Sequence, residues 1–365
     1  MKRLGVGIVG LEPGVSWAAT AHIPALRALP NDFEIVGVAN RSEASARAAA
    51  EACGLPRGFP SVAALCADPA VDVVAVNVKV PHHADVVRAA IQARKPIYCE
   101  WPLGNGLAEA KALEQEAREA GVLGVIGTQA RGSIELAHVA SLVRDGYVGR
   151  LLSVAIVATG TPGAPEIRAR GVYSMDKRNG ATLLTLNVGH MLAALRDFVG
   201  PVQEVSARLF VRRPTAKVTE TGEQVEKTAP DQVLAHAVLA DGAPLSLHYR
   251  SWSGPASEGL FWQIQGQEGV IQITSPGHVQ YAPLSIRGGR GDEPLKELST
   301  PPELLAGWPE NLVARNIARL YAQMATDLRT GSRDAPSFAD AVEIQKVVAA
   351  IEAAAESGGR VAVAG

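Results

Sequence analysis

The fold of the first half of the chain is decided by the segment LGVGIVGLEPGVSW, residues 4–17. Its apolar part, 4–10, predicts a short buried strand, and a helix-length segment follows at 18–29. Between them, Gly10 and Gly14 can form a tight turn that aims backbone N–H groups and a helix N-terminus at a phosphate. Glu12 stands where the middle glycine of GxGxxG is expected. The loop is therefore a degenerate phosphate-binding motif, with a plain strand-to-helix turn as the alternative.

Strands and helices alternate through the rest of the first half. The predicted strands are 33–40, 71–78, 96–100 and 122–127, and the predicted helices are 43–53, 83–94 and 107–121. Such alternation is typical of an α/β Rossmann domain, a doubly wound parallel sheet whose ligands bind at the carboxyl ends of the strands. The predicted dinucleotide-binding domain spans residues 1–128.

The end of the second predicted strand bears on the choice of cofactor. An acidic residue at this position would bind the ribose 2′-hydroxyl of NAD. Asn40, Arg41 and Ser42 instead offer an amide, a guanidinium and a hydroxyl, all able to hold a 2′-phosphate. The sequence therefore predicts NADP as the preferred cofactor and leaves NAD open. A solvated arginine at a helix start is the alternative explanation of Arg41.

The second half changes to strands that alternate with period two, as in antiparallel sheets with one buried face. The predicted strands are 151–160, 204–213, 232–240, 244–252, 261–273 and 278–283. Segment 214–230 is predicted as a flexible excursion and 284–308 as loop, before two helices at 309–330 and 337–356. Residues 129–365 are therefore predicted as an α+β domain, an open-faced and mostly antiparallel sheet with flanking helices, for substrate binding and oligomerisation.

The bare face of that sheet would carry Val, Leu, His and Trp side chains. Exposed apolar surface of this extent usually pairs with a copy of itself. The sequence therefore predicts a homodimer or homotetramer built sheet on sheet.

Composition excludes several classes of protein. A chain of 365 residues suits two domains, and its 47% hydrophobic and 20% charged content is that of a globular protein. A net charge of −2 argues against direct binding of nucleic acid. Cys53, Cys66 and Cys99 show no metal-binding spacing, which predicts reduced thiols, no metal site and a cytoplasmic location. No apolar run approaches the ~20 residues of a membrane span.

Several motifs together carry a family resemblance. The glycine loop is followed by AHIPAL (21–26), VNVKVPHHADVVRAAIQARKPIYCEWPLG (76–104), GYVGRLLSV (146–154) and SGGRVAV (357–363). On these segments the chain resembles the glucose–fructose oxidoreductase and inositol dehydrogenase family over nearly its whole length. It is similar within that family to the branch of the NADP-binding repressor of fungal galactose genes and related bacterial sugar dehydrogenases. That likeness rests on GLEPGVSWAATAHIPAL (10–26), CEWPL (99–103), VGHMLAALRDF (188–198) and APDQVLAHAVLADGAPLSLHYR (229–250).

The resemblance implies an NAD(P)-dependent oxidoreductase acting on a small, carbohydrate-like molecule. Hydride would pass between the nicotinamide and a hydroxyl or carbonyl carbon of a sugar or another polyhydroxylated compound. The chain departs from the family at Trp101, where a Glu-Lys-Pro motif has lysine, and at Leu186, where the enzymes carry aspartate. These departures leave two alternatives open: a catalytically silent NADP-binding sensor or regulator, and a redox-neutral enzyme that uses its cofactor transiently.

The predicted site residues combine the loop patterns with the resemblance. Predicted catalytic residues are His190, Lys79, Tyr173 and Asn187, and predicted substrate contacts are Trp101, Lys177, Arg178 and His190. Predicted cofactor contacts are Gly10, Leu11, Gly14, Ser16, Trp17, Asn40, Arg41, Ser42, Val78, Val80, His83, Glu100, Trp101 and Gln129. A buried core histidine is the alternative for His190, and a solvated surface lysine for Lys79. Because aromatic residues are only 5% of the chain, Trp17 and Trp101 beside the cofactor loops are interpreted as site residues.

Overall fold

The computed structural model describes residues 2–161, 164–251 and 259–363. The chain divides into two compact units, one of residues 1–132 and 307–343, the other of residues 133–306 and 344–365. The predicted domains, 1–128 and 129–365, differ from this division in the assignment of 307–343. The difference arises because a helix of that segment buries apolar side chains in the core of the first unit, which is a long-range contact that local patterns do not reveal.

The first unit contains a six-stranded parallel sheet. Its strands are β1 (Leu4–Val9), β2 (Phe33–Ala39), β3 (Gly58–Phe59), β4 (Val73–Val76), β5 (Ile97–Glu100) and β6 (Gly124–Gly127). Their order across the sheet is β3-β2-β1-β4-β5-β6, so the direction of winding reverses between β1 and β4. The predicted Rossmann sheet is confirmed, and ligands of such sheets bind beside that reversal, at the carboxyl ends of the strands.

The α-helices are α1 (Ile23–Arg27), α2 (Glu43–Cys53), α3 (Val62–Ala67), α4 (His83–Gln92), α5 (Leu107–Glu119), α6 (Ile134–Arg144), α7 (Gly189–Val199), α8 (Pro302–Leu305), α9 (Leu312–Thr330) and α10 (Phe338–Ser357). The predicted helix 18–29 is shorter and less regular than expected, because a π-helical turn at Ala18–His22 precedes α1. Helix α9 buries Ile317, Leu320, Tyr321 and Met324 in the core of the first unit.

The second unit contains a nine-stranded sheet and a small three-stranded one. Its strands are β7 (Leu151–Gly160), β8 (Glu166–Ile167), β9 (Val202–Phe210), β10 (Thr215–Val218), β11 (Gln224–Glu226), β12 (Gln232–Leu239), β13 (Pro244–Ser251), β14 (Leu260–Gly266), β15 (Gly269–Ser275), β16 (Ser285–Arg290), β17 (Lys296–Glu297) and β18 (Arg360–Ala362). The large sheet has the order β17-β16-β15-β14-β7-β13-β12-β9-β18. Neighbours pair antiparallel except β7 with β13, so the predicted α+β architecture is confirmed.

Three local predictions in the second half are wrong. The predicted excursion 214–230 forms β10 and β11, which pair with each other and with β8 in the small sheet. The predicted loop 284–308 contains β16, β17 and α8, whereas the predicted strand 278–283 is not a strand. Short strands with few apolar residues have little periodicity of their own, and their partners across the sheet stabilise them. The predicted strand 244–252 ends at residue 252, which lies outside the described residues.

The sheet face predicted to be bare is only partly as expected. Leu234, His236 and Val238 alternate along β12 and are exposed. Trp262 of β14 is instead fully buried, because it lies on the opposite, core-facing side of the pleat and contacts Phe198.

Within the described residues no helix has both the length and the apolar character needed to cross a membrane. In the same part of the chain, no group of three or more His, Cys, Asp or Glu side chains is arranged to hold a metal ion. Cys53, Cys66 and Cys99 are all free thiols.

Candidate functional site: two polar centres

The glycine loop lies at the carboxyl end of β1 and is built by close backbone contacts. Gly10 has φ of +92°, and a Cβ atom added there would lie 2.9 Å from the backbone of Asn77. Only glycine fits this position without strain. Ser16 closes the loop, because its hydroxyl donates to the carbonyl of Glu12 and accepts from the Glu12 N–H. Gly14 has φ of +73° and faces open space.

The residues predicted to hold a 2′-phosphate have different roles in the structure. The Asn40 side chain accepts from Leu11 N–H at 2.8 Å and donates to the Leu11 carbonyl at 2.9 Å, so it ties the first two strand-to-helix turns together. Ser42 caps α2 by accepting from the Ser45 N–H. Arg41 is exposed. Of the three, the arginine is the side chain that remains available to an anion.

Several side chains of the first unit have buried polar atoms with no hydrogen-bond partner among the described residues. They include Asn77, which follows β4, Thr128, which follows β6, and Trp17, which precedes the π-helical turn. Buried polar atoms normally find partners, since an unpaired one costs roughly 1–3 kcal/mol. Asn77 and Thr128 lie at the carboxyl ends of parallel strands, where a dinucleotide binds in this fold, so the residues present fit a polar cofactor. Trp17 also packs against the core, contrary to its interpretation as a site residue alone.

His83 joins the loops that follow β4 and β5. Its Nδ1 lies 2.7 Å from the carbonyl oxygen of Pro102, and its Nε2 lies 3.0 Å from that of Val78. Burial lowers the pKa of the imidazole, and both of its ring nitrogens are engaged by backbone carbonyl groups. Val80 is buried beside this loop, while Lys79 is exposed at its start. His83 therefore fixes the loops rather than presenting a free nitrogen.

Glu100 ends β5 with both carboxylate oxygens hydrogen-bonded. Oε1 lies 2.9 Å from Nε2 of His22, and Oε2 accepts from Nε2 of Gln129 at 2.6 Å. Gln129 is fully buried and Trp101 is 4% exposed. The sequence analysis missed His22 as a site residue, although AHIPAL contained it. A polar residue in an apolar motif was the available signal.

The second polar centre surrounds the start of α7. Thr182 caps a π-helical turn, Leu183–Val188, that leads directly into this helix. Such turns occur often at functional sites. Asn187 and His190 are each 4% exposed, and Asn187 Oδ1 and His190 Nδ1 have no hydrogen-bond partner among the described residues. Burial and the nearby His278 hold the pKa of His190 well below its usual value. His190 is therefore neutral, with an unused ring nitrogen.

His278 belongs to the same centre and was missed by the sequence analysis. Its Nε2 lies 3.1 Å from the carbonyl oxygen of Asn187, and its ring centre lies 6.4 Å from that of His190. Burial lowers the pKa of His278 to about 4. It follows β15 outside any strand or helix, whereas the sequence placed it in the predicted strand 278–283 and so gave it no site role.

The remaining predicted residues of the second unit lie on separate 3₁₀ turns, 169–175 and 177–179. Burial raises the pKa of Tyr173, which keeps its hydroxyl protonated at neutral pH. The exposed Arg178 forms a bidentate ion pair with Asp176 and lowers the pKa of that carboxyl to about 2. Lys177 is exposed beside it. The Arg178 guanidinium is therefore already paired, which weakens its interpretation as a substrate contact.

Two family models match the chain in succession. The model described as the GFO_IDH_MocA oxidoreductase family, NAD-binding Rossmann fold, matches residues 4–128, and the Gal80p C-terminal domain model matches residues 135–275. Dehydrogenase aclE of Aspergillus oryzae is 34% identical over 286 residues, which cover 75% of this chain and 78% of that protein.

Solved structures share the fold at lower identity. A super-repressor mutant of Gal80p from Saccharomyces cerevisiae superimposes with a TM-score of 0.89 at 21% identity, covering 100% of this chain and 98% of that one. Levoglucosan dehydrogenase in complex with NADH and levoglucosan gives a TM-score of 0.85 at 21% identity, covering 100% of both chains. With the parallel sheet, the glycine loop and the match to aclE, the chain belongs to the GFO_IDH_MocA family of NAD-binding oxidoreductases.

Proposed function

We propose that this protein is an NADP-dependent dehydrogenase that oxidises a hydroxyl group of a sugar or another polyhydroxylated small molecule. The observation that carries the proposal is the buried, neutral His190 with an unused Nδ1, beside the unpaired Oδ1 of Asn187. An imidazole nitrogen and an amide oxygen are both hydrogen-bond acceptors, and substrate hydroxyl groups supply the matching donors. Levoglucosan dehydrogenase, a structural neighbour, binds an anhydrosugar.

The proposed reaction divides the chemistry between cofactor and chain. When bound, the nicotinamide supplies the hydride acceptor. His190 accepts the proton of the substrate hydroxyl, and its low pKa keeps the ring in the neutral form that this step requires. Asn187 orients a neighbouring hydroxyl through its amide oxygen. Lys79 and Tyr173 are the further proposed contributors, in place of the lysine and aspartate that the family enzymes carry at the positions of Trp101 and Leu186.

The cofactor preference is proposed from one cation. Arg41 is exposed at the end of β2, whereas Asn40 and Ser42 are engaged in holding the loop and capping α2. A guanidinium binds a phosphate in a bidentate manner. The remaining polar groups of NADP would be held at the carboxyl ends of the parallel strands by Glu100, Gln129, Asn77 and Thr128.

The second candidate is an NADP-binding sensor without turnover. It is favoured by the match of residues 135–275 to the Gal80p C-terminal domain and by the replacement of both family proton-transfer residues. A redox-neutral enzyme that uses its cofactor transiently is the third. Both differ from a dehydrogenase in consuming no net NADP.

One experiment separates these candidates. Purified protein is mixed with NADP and, in turn, levoglucosan, inositol, aldoses and aryl glycosides, while nicotinamide absorbance and substrate consumption are both followed. A dehydrogenase produces NADPH in step with product. Calorimetric binding of NADP without any chemistry supports the sensor, and consumption of a glycoside without NADPH supports the redox-neutral enzyme.

The assembly is proposed to be a cytoplasmic homodimer or homotetramer formed through the large sheet. Exposed Leu234 and Val238 on β12 and Phe210 on β9 support this proposal. Light scattering tests it: Leu234→Asp should give monomers, and Leu304→Asp on α8 is the matched control on another exposed leucine. A monomeric unmodified chain at micromolar concentration would contradict it.

A further inference from the structure

The AHIPAL motif contains a buried histidine to which the proposed function assigns no role. His22 is fully buried in the π-helical turn after β1. Its Nε2 lies 2.9 Å from Glu100 Oε1, and its Nδ1 lies 2.8 Å from the hydroxyl of Tyr321 on α9. Because a carboxylate only accepts, Nε2 donates to Glu100, and Nδ1 is left to the Tyr321 hydroxyl. The three side chains therefore form one continuous hydrogen-bonded series, from Tyr321 through His22 to Glu100.

The second oxygen of Glu100 is held from the other side. Gln129 donates to Oε2 at 2.6 Å from the 3₁₀ turn after β6. Gly127 on β6 is paired with Glu100, and a Cβ atom at Gly127 would lie 2.5 Å from Oε1. Space for the carboxylate therefore exists only because this neighbour has no side chain.

We propose that His22 and Tyr321 are positioning residues, which hold the Glu100 carboxylate correctly aimed for the ribose hydroxyls of the bound dinucleotide. The inference rests on the proposed role of Glu100 in cofactor binding. A partly buried carboxylate needs donors on its oxygens, and the imidazole held between Tyr321 and Glu100 supplies one of them. Residues 307–343 belong to the first unit although they follow the second in sequence. Helix α9 of this segment carries Tyr321, the residue that is hydrogen-bonded to His22.

Cofactor affinity provides the test, measured by calorimetry with NADP and the full-length protein. His22→Phe keeps a ring but removes both hydrogen bonds, and should weaken NADP binding about tenfold, the usual effect of a lost charge-assisted bond. His22→Gln retains a donor and should recover most of the affinity. In a Glu100→Ala background, His22→Phe should have almost no effect, since the carboxylate it positions is gone.

The two buried tyrosines provide a matched pair of variants. Tyr321→Phe removes the hydroxyl that orients His22, and should weaken NADP binding about threefold. The ring of Tyr98 stacks on that of Tyr321 with the ring centres 4.5 Å apart, but the Tyr98 hydroxyl has no hydrogen-bond partner among the described residues. Tyr98→Phe should therefore leave the affinity unchanged, and this pair preserves the test if His22→Phe does not fold.

Two results would overturn the inference. One is an equal loss of affinity from His22→Phe with and without Glu100, which would mean general damage to the fold. The other is equal behaviour of Tyr321→Phe and Tyr98→Phe. Neither result depends on turnover, so a protein that binds NADP but oxidises no sugar would refute the proposed function and leave this test intact.

Discussion

The two polar centres differ in whether their polar atoms already have hydrogen-bond partners. In the first unit, the Glu100 side chain has hydrogen-bond partners on both oxygens, His22 and Gln129. In the second unit, the neutral Asn187 and His190 each retain a buried atom without a partner among the described residues. A partly buried carboxyl group needs hydrogen-bond partners whether or not a ligand is bound, because desolvating its charged form costs several kcal/mol. A neutral polar atom buried without a partner costs roughly 1–3 kcal/mol. Under the proposed function, these unpartnered atoms bind the hydroxyl groups of the substrate.

The largest expected effect tests the open centre. His190→Ala should lower kcat of the proposed dehydrogenase reaction by about 10²–10⁴-fold, the usual contribution of a general base, while NADP affinity stays unchanged. Steady-state kinetics with the best substrate of the panel, and calorimetry with NADP, provide the measurements. His138→Ala on α6 is the control, and unaltered kcat in His190→Ala would show that this histidine is structural.

A smaller effect is the loss of folding stability at low pH that follows from the buried His278 of the same centre. The pKa of His278 is about 4 in the folded protein against 6.5 when unfolded, so the unfolded chain binds the extra proton first as pH falls. Its stabilisation is complete above pH 6.5 and is lost as pH falls towards 4, with roughly 2 kcal/mol lost between pH 7.5 and 5.

Urea unfolding at the two pH values measures this loss. The pH-dependent part should be smaller in His278→Gln, which cannot titrate but retains a donor for the Asn187 carbonyl. If both proteins lose equal free energy of unfolding, His278 is not the group responsible.

The smallest of these effects tests the cofactor preference proposed for Arg41 in the first unit. Arg41→Ala should weaken NADP about tenfold relative to NAD, as expected for the loss of a charged hydrogen bond to the 2′-phosphate. Calorimetry with each cofactor gives the ratio. Arg47→Ala is the matched control, because Arg47 is an exposed arginine on α2, the helix that follows Arg41, and its Nη1 lies 3.9 Å from Glu43 Oε1. An unchanged ratio would refute the proposed NADP preference.

The prediction of individual site residues depended on how local their contacts are. The turn at Gly10 was predictable because a strand-to-helix turn imposes a backbone conformation that only glycine adopts easily, while its contact with a cofactor stays a prediction. The hydrogen bond from Asn40 to Leu11 was not predicted, because an amide can donate to a loop carbonyl as readily as to a phosphate, and the sequence does not rank the two partners. His278 lies 91 residues from the carbonyl it contacts, so no spacing rule could link them.

The sequence by itself determined the parallel sheet, the open antiparallel sheet and the family, because strand periods, glycine turns and contiguous motifs are local properties of the chain. Only the tertiary structure joined His22 to Tyr321 across 299 positions and to Glu100 across 78. The tertiary structure also pairs strands β10 and β11 within the polar segment 214–230, and it places residues 307–343 in the first unit. The physical reason is common to these cases: hydrogen bonds and apolar packing between distant segments decide them, and neither leaves a periodic signal in the sequence.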